Sequence, residues 1–159
     1  MGRYSKDYAP TASDFEESIR KTVERHETKE RIRGPSNEAG DDGLYRDKSS
    51  GALEVIECKY VREDSSVPKK HITSLANAID KTKELYTNAP SVGGTLYTTA
   101  GNLSLPAKKA LKEVRKAGIE INVMCHSDLK SMAQILPVDD EERFALEKAL
   151  ATKARRFKG

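Results

Sequence analysis

GDDGLYRDKSSGALEVIECKYVR, residues 40–62, decides the fold. Residues 44–46 and 53–61 read as two strands joined by the turn-rich DKSSG, an antiparallel hairpin. Side chains alternate along a strand, so Leu53, Val55, Glu57 and Lys59 share one face, and Ile56, Cys58 and Tyr60 the other. A strand apolar on both faces is central to its sheet, where a charge is costly unless paired or bound to a metal. Glu57 and Lys59 break that pattern. Either the strand has reached solvent, with a diagonal ion pair worth about 0.2–1 kcal/mol, or the pair belongs to a site.

Working outward, MGRYSKDYAP is polar, and a helix is expected from Ser13, with Phe15, Ile19 and Val23 on one stripe. Ser13 to Glu16, S-D-F-E, fits a capping box. The charged stretch ETKERIRGPSNEAGDDG is a loop with room for a short strand around Ile32. After the hairpin, the polar REDSS leads to a helix with Pro68 in its first turn and Ile72, Leu75, Ala76, Ile79 and Tyr86 facing inward. VGGTLYTT is a strand. SLPAKKALKEVRKAG is a helix capped by Ser104 and stopped by Gly118, and IEINVMC is a half-exposed or edge strand. Helical segments around 128–135 and 139–157 finish the chain in the basic run KARRFKG. Strands alternating with helices imply parallel neighbours, and the hairpin adds an antiparallel part. The expectation is one α/β domain over 1–159: a mixed sheet flanked by helices, its core spanning about 13–128, with a helical basic tail from 129 to 159.

Composition supports a single core of this size: 159 residues, 36% hydrophobic and 33% charged. The net charge of +3 is too small to imply nucleic acid unless the positive residues cluster. Cys58 and Cys125 both fall in expected strands without metal-type spacing, as buried thiols of a reducing compartment do. No apolar run approaches the roughly 20 residues of a membrane span, so a cytoplasmic protein of prokaryotic or phage origin with no membrane partner is expected.

The hairpin brings Asp41 and Asp42 beside the end of the next strand, where Asp42 approaches Glu57. Converging carboxylates repel unless a hard cation lies between them, and Mg²⁺ is held by one or two carboxylates, waters and phosphate oxygens. Such a cation polarises a phosphoryl oxygen and acidifies a bound water. Lys59 on the same face would orient or deprotonate that water, or neutralise charge at phosphorus.

D-G-L, a short hairpin and an apolar run ending in E-x-K resemble the PD-(D/E)xK nuclease superfamily. DGLYRDKSSGALEVIECK is similar to the corresponding stretch of the phage lambda exonuclease group. The wider chain, about 13–128, resembles Mrr-type restriction endonucleases and archaeal Holliday-junction resolvases. It shares with them a first helix containing Phe15-Glu16, a strand ending in Thr98-Thr99 before a helix, and a short strand after a glycine, AGIEINV. The resemblance implies a restriction-endonuclease-like fold with an αβββαβ core. It implies Asp42 and Glu57 as ligands of Mg²⁺, which Mn²⁺ would replace, the Cys58 backbone carbonyl as a further ligand, and Lys59 as the catalytic lysine. Glu16 matches a helical glutamate near the metal of resolvase-like members, and its capping-box role explains it equally well. Two departures bear on the aspartate. Asp41 stands where the motif has proline, and the G-x-G-G-x-D pattern would place its aspartate at Tyr45. Asp41 therefore stays a second candidate ligand beside Asp42.

Substrate contacts are expected from Arg33 and Arg31 flanking the loop, and from Arg62, Lys69, Lys70 and His71 around a helix N-terminus, a ready phosphate site. Thr98 and Thr99 at the strand end, and Lys153, Arg155, Arg156 and Lys158 in the tail, complete the set. The expected activity is hydrolysis of DNA by a restriction-type or junction-resolving endonuclease. The alternatives are an interbacterial nuclease toxin domain acting on DNA or tRNA, with an immunity protein as partner, and an inactive nucleic-acid-binding module. A homodimer would cut both strands.

Overall fold

The computed structural model describes residues 11–34 and 41–152. The expectations for MGRYSKDYAP, for the end of the active-site loop and for the basic run from Lys153 to Lys158 lie outside the described residues. The chain runs α1 (Ala12–Arg25), β1 (Lys29–Arg33), β2 (Gly43–Asp47), β3 (Leu53–Lys59), β4 (Ser66–Val67) and α2 (Lys69–Leu85). It continues through β5 (Val92–Thr98), β6 (Asn102–Leu103), α3 (Leu105–Lys116), β7 (Glu120–Met124), α4 (His126–Ile135) and α5 (Glu141–Ala151).

Five strands form one mixed sheet in the order β1-β2-β3-β5-β7. β1, β2 and β3 are antiparallel neighbours, whereas β5 runs parallel to both β3 and β7. β3 is therefore central, and β7 is an edge, as its alternating sequence requires. Leu53 and Val55 pack with Ile72, Leu75, Ile79, Ala107 and Leu111, a core beneath α2 and α3. Ile56, Cys58 and Tyr60 pack with Phe15, Ile19, Leu129 and Leu146, a second core beneath α1, α4 and α5. Each fully buried Leu, Ile or Phe contributes about 1.5–3 kcal/mol, so helices on both faces hold the sheet and fix the direction in which β3 presents its end.

The structure corrects the sequence reading in four places. α1 is capped by Thr11, not Ser13: the Thr11 amide donates to Asp14 Oδ2 at 3.0 Å and the Asp14 amide to Thr11 Oγ1 at 3.3 Å. T-A-S-D fits the capping box as well as S-D-F-E does, and choosing it releases Glu16 from any capping duty. β3 ends at Lys59, because the Val61 amide bonds the Thr99 hydroxyl at 2.7 Å instead of a strand partner. β4 and β6 form a separate two-stranded parallel ribbon within what reads as plain loop. Cys125 is the N-cap of α4 and not a residue of β7. Both cysteines are free thiols.

Two glycines are required by their surroundings. Gly118 stops α3 at φ +89°, the left-handed region where a Cβ is unfavourable. At Gly94 on β5, a Cβ would lie 2.7 Å from Ile79 Cδ1 and 3.1 Å from the Val55 carbonyl oxygen, so the buried Ile79 side chain would have to turn away and the β3 backbone to give slightly. Gly94→Ala is expected to destabilise the protein by about 1–3 kcal/mol through overpacking, read from denaturant midpoints at unchanged m-value.

Candidate active site

The end of β3 gathers the residues that interrupt its apolar pattern. The Asp42 amide donates to the Ile56 carbonyl at 2.9 Å, extending the β2–β3 ladder by one residue and setting Asp42 opposite Glu57. Asp42 Oδ2 accepts the Cys58 amide at 2.6 Å. In an extended strand the N–H and C=O of one residue point to the same side, so the Cys58 carbonyl also faces the Asp42 edge. Glu57 is only 4% exposed, on the face of Leu53 and Val55. Lys59 Nζ lies 3.4 Å from Glu57 Oε1, while Glu57 Oε2 is buried and accepts no hydrogen bond. Glu16 approaches from α1, with Asp42 and Lys59 both close enough to act on its charge.

Each carboxyl at this strand end holds its proton more tightly than in water. Burial pushes Glu57 up to about 7; the nearby Lys59 ammonium pulls down and Asp42 pushes up again. Asp42 is raised by burial, against the Cys58 amide and Lys59, which favour the carboxylate. Burial and then Asp42 raise Glu16. Three half-compensated carboxyls with an orphaned buried oxygen are the donor set of a hard cation, which would relieve the repulsion and replace the protons. The Asp42 and Glu57 carboxylates and the Cys58 carbonyl are the residues that would hold it, whereas Glu16 does not close with the two carboxylates on one point.

Asp41 does something else. Its carboxylate takes a bidentate pair from Arg33, Nη1 to Oδ1 at 2.7 Å and Nη2 to Oδ2 at 3.0 Å, and accepts the Gly43 amide at 3.1 Å. With its side chain sealed from solvent, Asp41 anchors the start of β2, and Arg33 is committed to it. Asp41→Ala would strand a partly buried guanidinium; a stability loss of about 2–4 kcal/mol is expected in denaturant melts.

Around the site, Lys69 and Lys70 are exposed at the start of α2, whose cap residue Pro68 offers no side-chain hydrogen bond to the first-turn amides. His71 is partly buried; burial, then Lys59 and Lys70, draw its pKa down to about 4, so it is neutral at pH 7. Arg62 is exposed and pairs with Asp64 at 2.9 Å. Arg31 pairs with Glu24 at 3.2 Å. Thr98 and Thr99 are buried, and their hydroxyls bond backbone: Thr98 accepts from Ala100, and Thr99 both accepts from and donates to Val61. They brace the strand end, and Thr99 lies in the lining of a neighbouring cleft.

Sequence reasoning missed three features. Arg20, one turn beyond Glu16, points its guanidinium at the acidic cluster; the i, i+4 spacing on α1 carries that signal. A cleft of about 580 Å³ opens between residues 61–64, 101–102, His126 and the end of α5, assembled by distant segments that no local pattern links. His26, Asp140 and Glu142 bring ligand-type atoms within 4.8 Å of one another where α1 meets α5. Arg25 already lies 3.2 Å from Asp140 Oδ2 and 3.1 Å from Glu142 Oε2, so this group is closed as an ion-pair latch.

A family model described as restriction endonuclease, Mrr_cat, matches residues 9–133. No match was found among curated proteins. Among solved structures, an EndoMS complex with double-stranded DNA shares 21% identity at a TM-score of 0.50, over 75% of this chain and 47% of that one. The MspJI restriction endonuclease in complex with a 27-mer oligonucleotide shares 16% at 0.50, over 91% and 34%. A repair endonuclease from Pyrococcus abyssi shares 22% at 0.48, over 74% and 48%. The chain thus spans about half or less of the length of these proteins. The two neighbours at 0.50 show a shared restriction-endonuclease-like fold. The family match covers most of the chain and includes Glu16, Asp42, Glu57 and Lys59, and the chain belongs to the Mrr-type restriction endonuclease family.

Proposed function

We propose that this domain is a Mg²⁺-dependent endodeoxyribonuclease that hydrolyses phosphodiester bonds at the end of β3. The observation that carries the reading is Glu57: a buried carboxylate with one orphaned oxygen, beside Asp42 and within reach of Lys59. Asp42, Glu57 and the Cys58 carbonyl would hold the cation, and Mn²⁺ would substitute for Mg²⁺. When bound, that cation polarises a phosphoryl oxygen and acidifies a coordinated water. Lys59 lies on the same face, where its ammonium orients the attacking water and offsets charge gathering at phosphorus. Glu57 fixes Lys59 in that direction by their ion pair.

Binding falls to the exposed rim. Lys69, Lys70 and Arg62 meet backbone phosphates, helped by the uncapped amides of α2. Contacts of this kind carry no sequence information, so affinity should fall steeply with salt. DNA is favoured as substrate by family membership and by the DNA held in two neighbouring folds. One chain offers one such site, so cutting both strands takes a second copy or a second nick.

The test is a panel of linear, circular, branched and single-stranded DNA, with an RNA duplex alongside, incubated with millimolar Mg²⁺ or with chelator. Cleavage of circular DNA in Mg²⁺ alone is expected. Cleavage that persists in chelator, or that is confined to RNA, would contradict the proposal.

A further inference from the structure

Arg20 has no place in the mechanism above, yet the structure holds it in an expensive position. Its side chain is 19% exposed, and Nη1 is buried without a hydrogen bond. Its ion-pair partner on α1, Glu16 Oε2, lies 3.7 Å from Nη1, beyond hydrogen-bond length. A buried unsatisfied donor is costly, and a guanidinium does not discharge to escape the cost. What offsets it is the field of the site, since Arg20 favours the ionised forms of both Glu16 and Asp42.

The charge count gives this position a meaning. Glu16, Asp42 and Glu57, when ionised, supply three negative charges, and Lys59 and Arg20 supply two positive ones. One divalent cation reverses the remaining −1 to +1, matched to the single negative charge of a phosphodiester. A second would leave an uncompensated +3 on protein groups that are largely buried. The three carboxylates also do not close on one point: among the described residues, the group whose ligand atoms all fall within 4.8 Å is the Arg25 latch, not this one. Lys59 stands at Glu57, and Arg20 stands on the opposite, α1 side.

We infer that Arg20 takes the part of a second cation beside Glu16 and Asp42, restricting the site to one divalent metal ion and making Arg20 a positioning residue for it. The inference rests on the proposed metal site. Glu16 then serves to hold Arg20 and not the catalytic ion. Removing the guanidinium leaves Glu16 and Asp42 facing each other with Lys59 alone to offset them, an arrangement that favours a further cation.

Electron paramagnetic resonance of free Mn²⁺ counts bound ions directly, without reference to activity. Wild type should bind one Mn²⁺ per chain, and Asp42→Asn should bind none. Arg20→Met should take up a second ion, or bind the first at least about tenfold more tightly, whereas Arg20→Lys keeps the wild-type curve. In Arg20→Met/Glu16→Gln the count should return to one. Circular dichroism reports folding, and Arg20→Gln tests the same loss of charge where the methionine protein does not fold. Two ions on wild type, or a titration unchanged in both Arg20→Met and Arg20→Gln, would overturn the inference and leave the metal site standing. No Mn²⁺ on wild type would overturn both.

Discussion

Lys59→Ala protein is expected to cleave DNA about 10²–10⁴ times more slowly than wild type, the usual loss on removing a group that moves or orients the reacting proton. Its metal binding should be equal or tighter. The ammonium lies 3.4 Å from Glu57 Oε1 and repels an incoming cation, so deleting it removes a competing positive charge wherever Glu57 is ionised. Lys59 also holds the Glu57 pKa down, so its removal raises that pKa beyond about 7, and the comparison belongs at pH 9, where both proteins are nearest full ionisation. Single-turnover rates and Mn²⁺ calorimetry on the same two proteins separate the effects. Parallel loss of binding and cleavage would mean that Lys59 shapes the site and does not take part in the reaction.

Glu57→Gln is expected to be more stable than wild type at pH 8 in chelator, and inactive. Glu57 titrates at about 7 in the fold against an ordinary 4.5. A group raised in this way binds its proton more tightly when folded, so its favourable contribution is complete below 4.5 and is lost as pH rises through 7. At 1.36 kcal/mol per unit the full effect is about 3 kcal/mol. The value of about 7 already includes the Lys59 pair; an amide copies the protonated acid imperfectly, which leaves about 1–2 kcal/mol, or a few degrees in Tm for a domain of this length. At pH 4 the two proteins should melt together. Thermal melts across this range read the difference. A Glu57→Gln protein less stable at pH 8 would show that Glu57 is a structural anchor, since a site residue kept for function costs the apo fold stability.

The architecture was legible because β3 alternates without error: Leu53 and Val55 go to one core, and Ile56, Cys58 and Tyr60 to the other. That same alternation puts Glu57 and Lys59 on one face. Element boundaries were less legible where two local chemistries compete. T-A-S-D and S-D-F-E overlap as capping boxes, and only the chain preceding α1 selects the first. Asp41 and Asp42 are neighbours in sequence with opposite fates. What separates them is Arg33, which clamps Asp41 from β1, and the Cys58 amide, which takes Asp42. Both partners are long-range. Thr98 and Thr99 read as phosphate contacts because hydroxyls at a strand end often face a site; their bonds to the backbone of Ala100 and Val61 are long-range or turn chemistry that the sequence does not display. The two-residue strands β4 and β6 are too short to leave any periodicity.

Asp42 is the residue on which a metal site at the end of β3 depends, and its bond to the Cys58 amide, in place of the Arg33 clamp on Asp41, sets it apart from its neighbour. Supercoiled plasmid should be followed with wild type, Asp42→Ala and the chelator-treated wild type in parallel, all at pH 8 with millimolar Mg²⁺ in the untreated reactions. The structure predicts nicked or linear product from wild type only. Cleavage by Asp42→Ala at the wild-type rate, or by wild type in chelator, would contradict the assignment of a metal-dependent nuclease site to the end of β3.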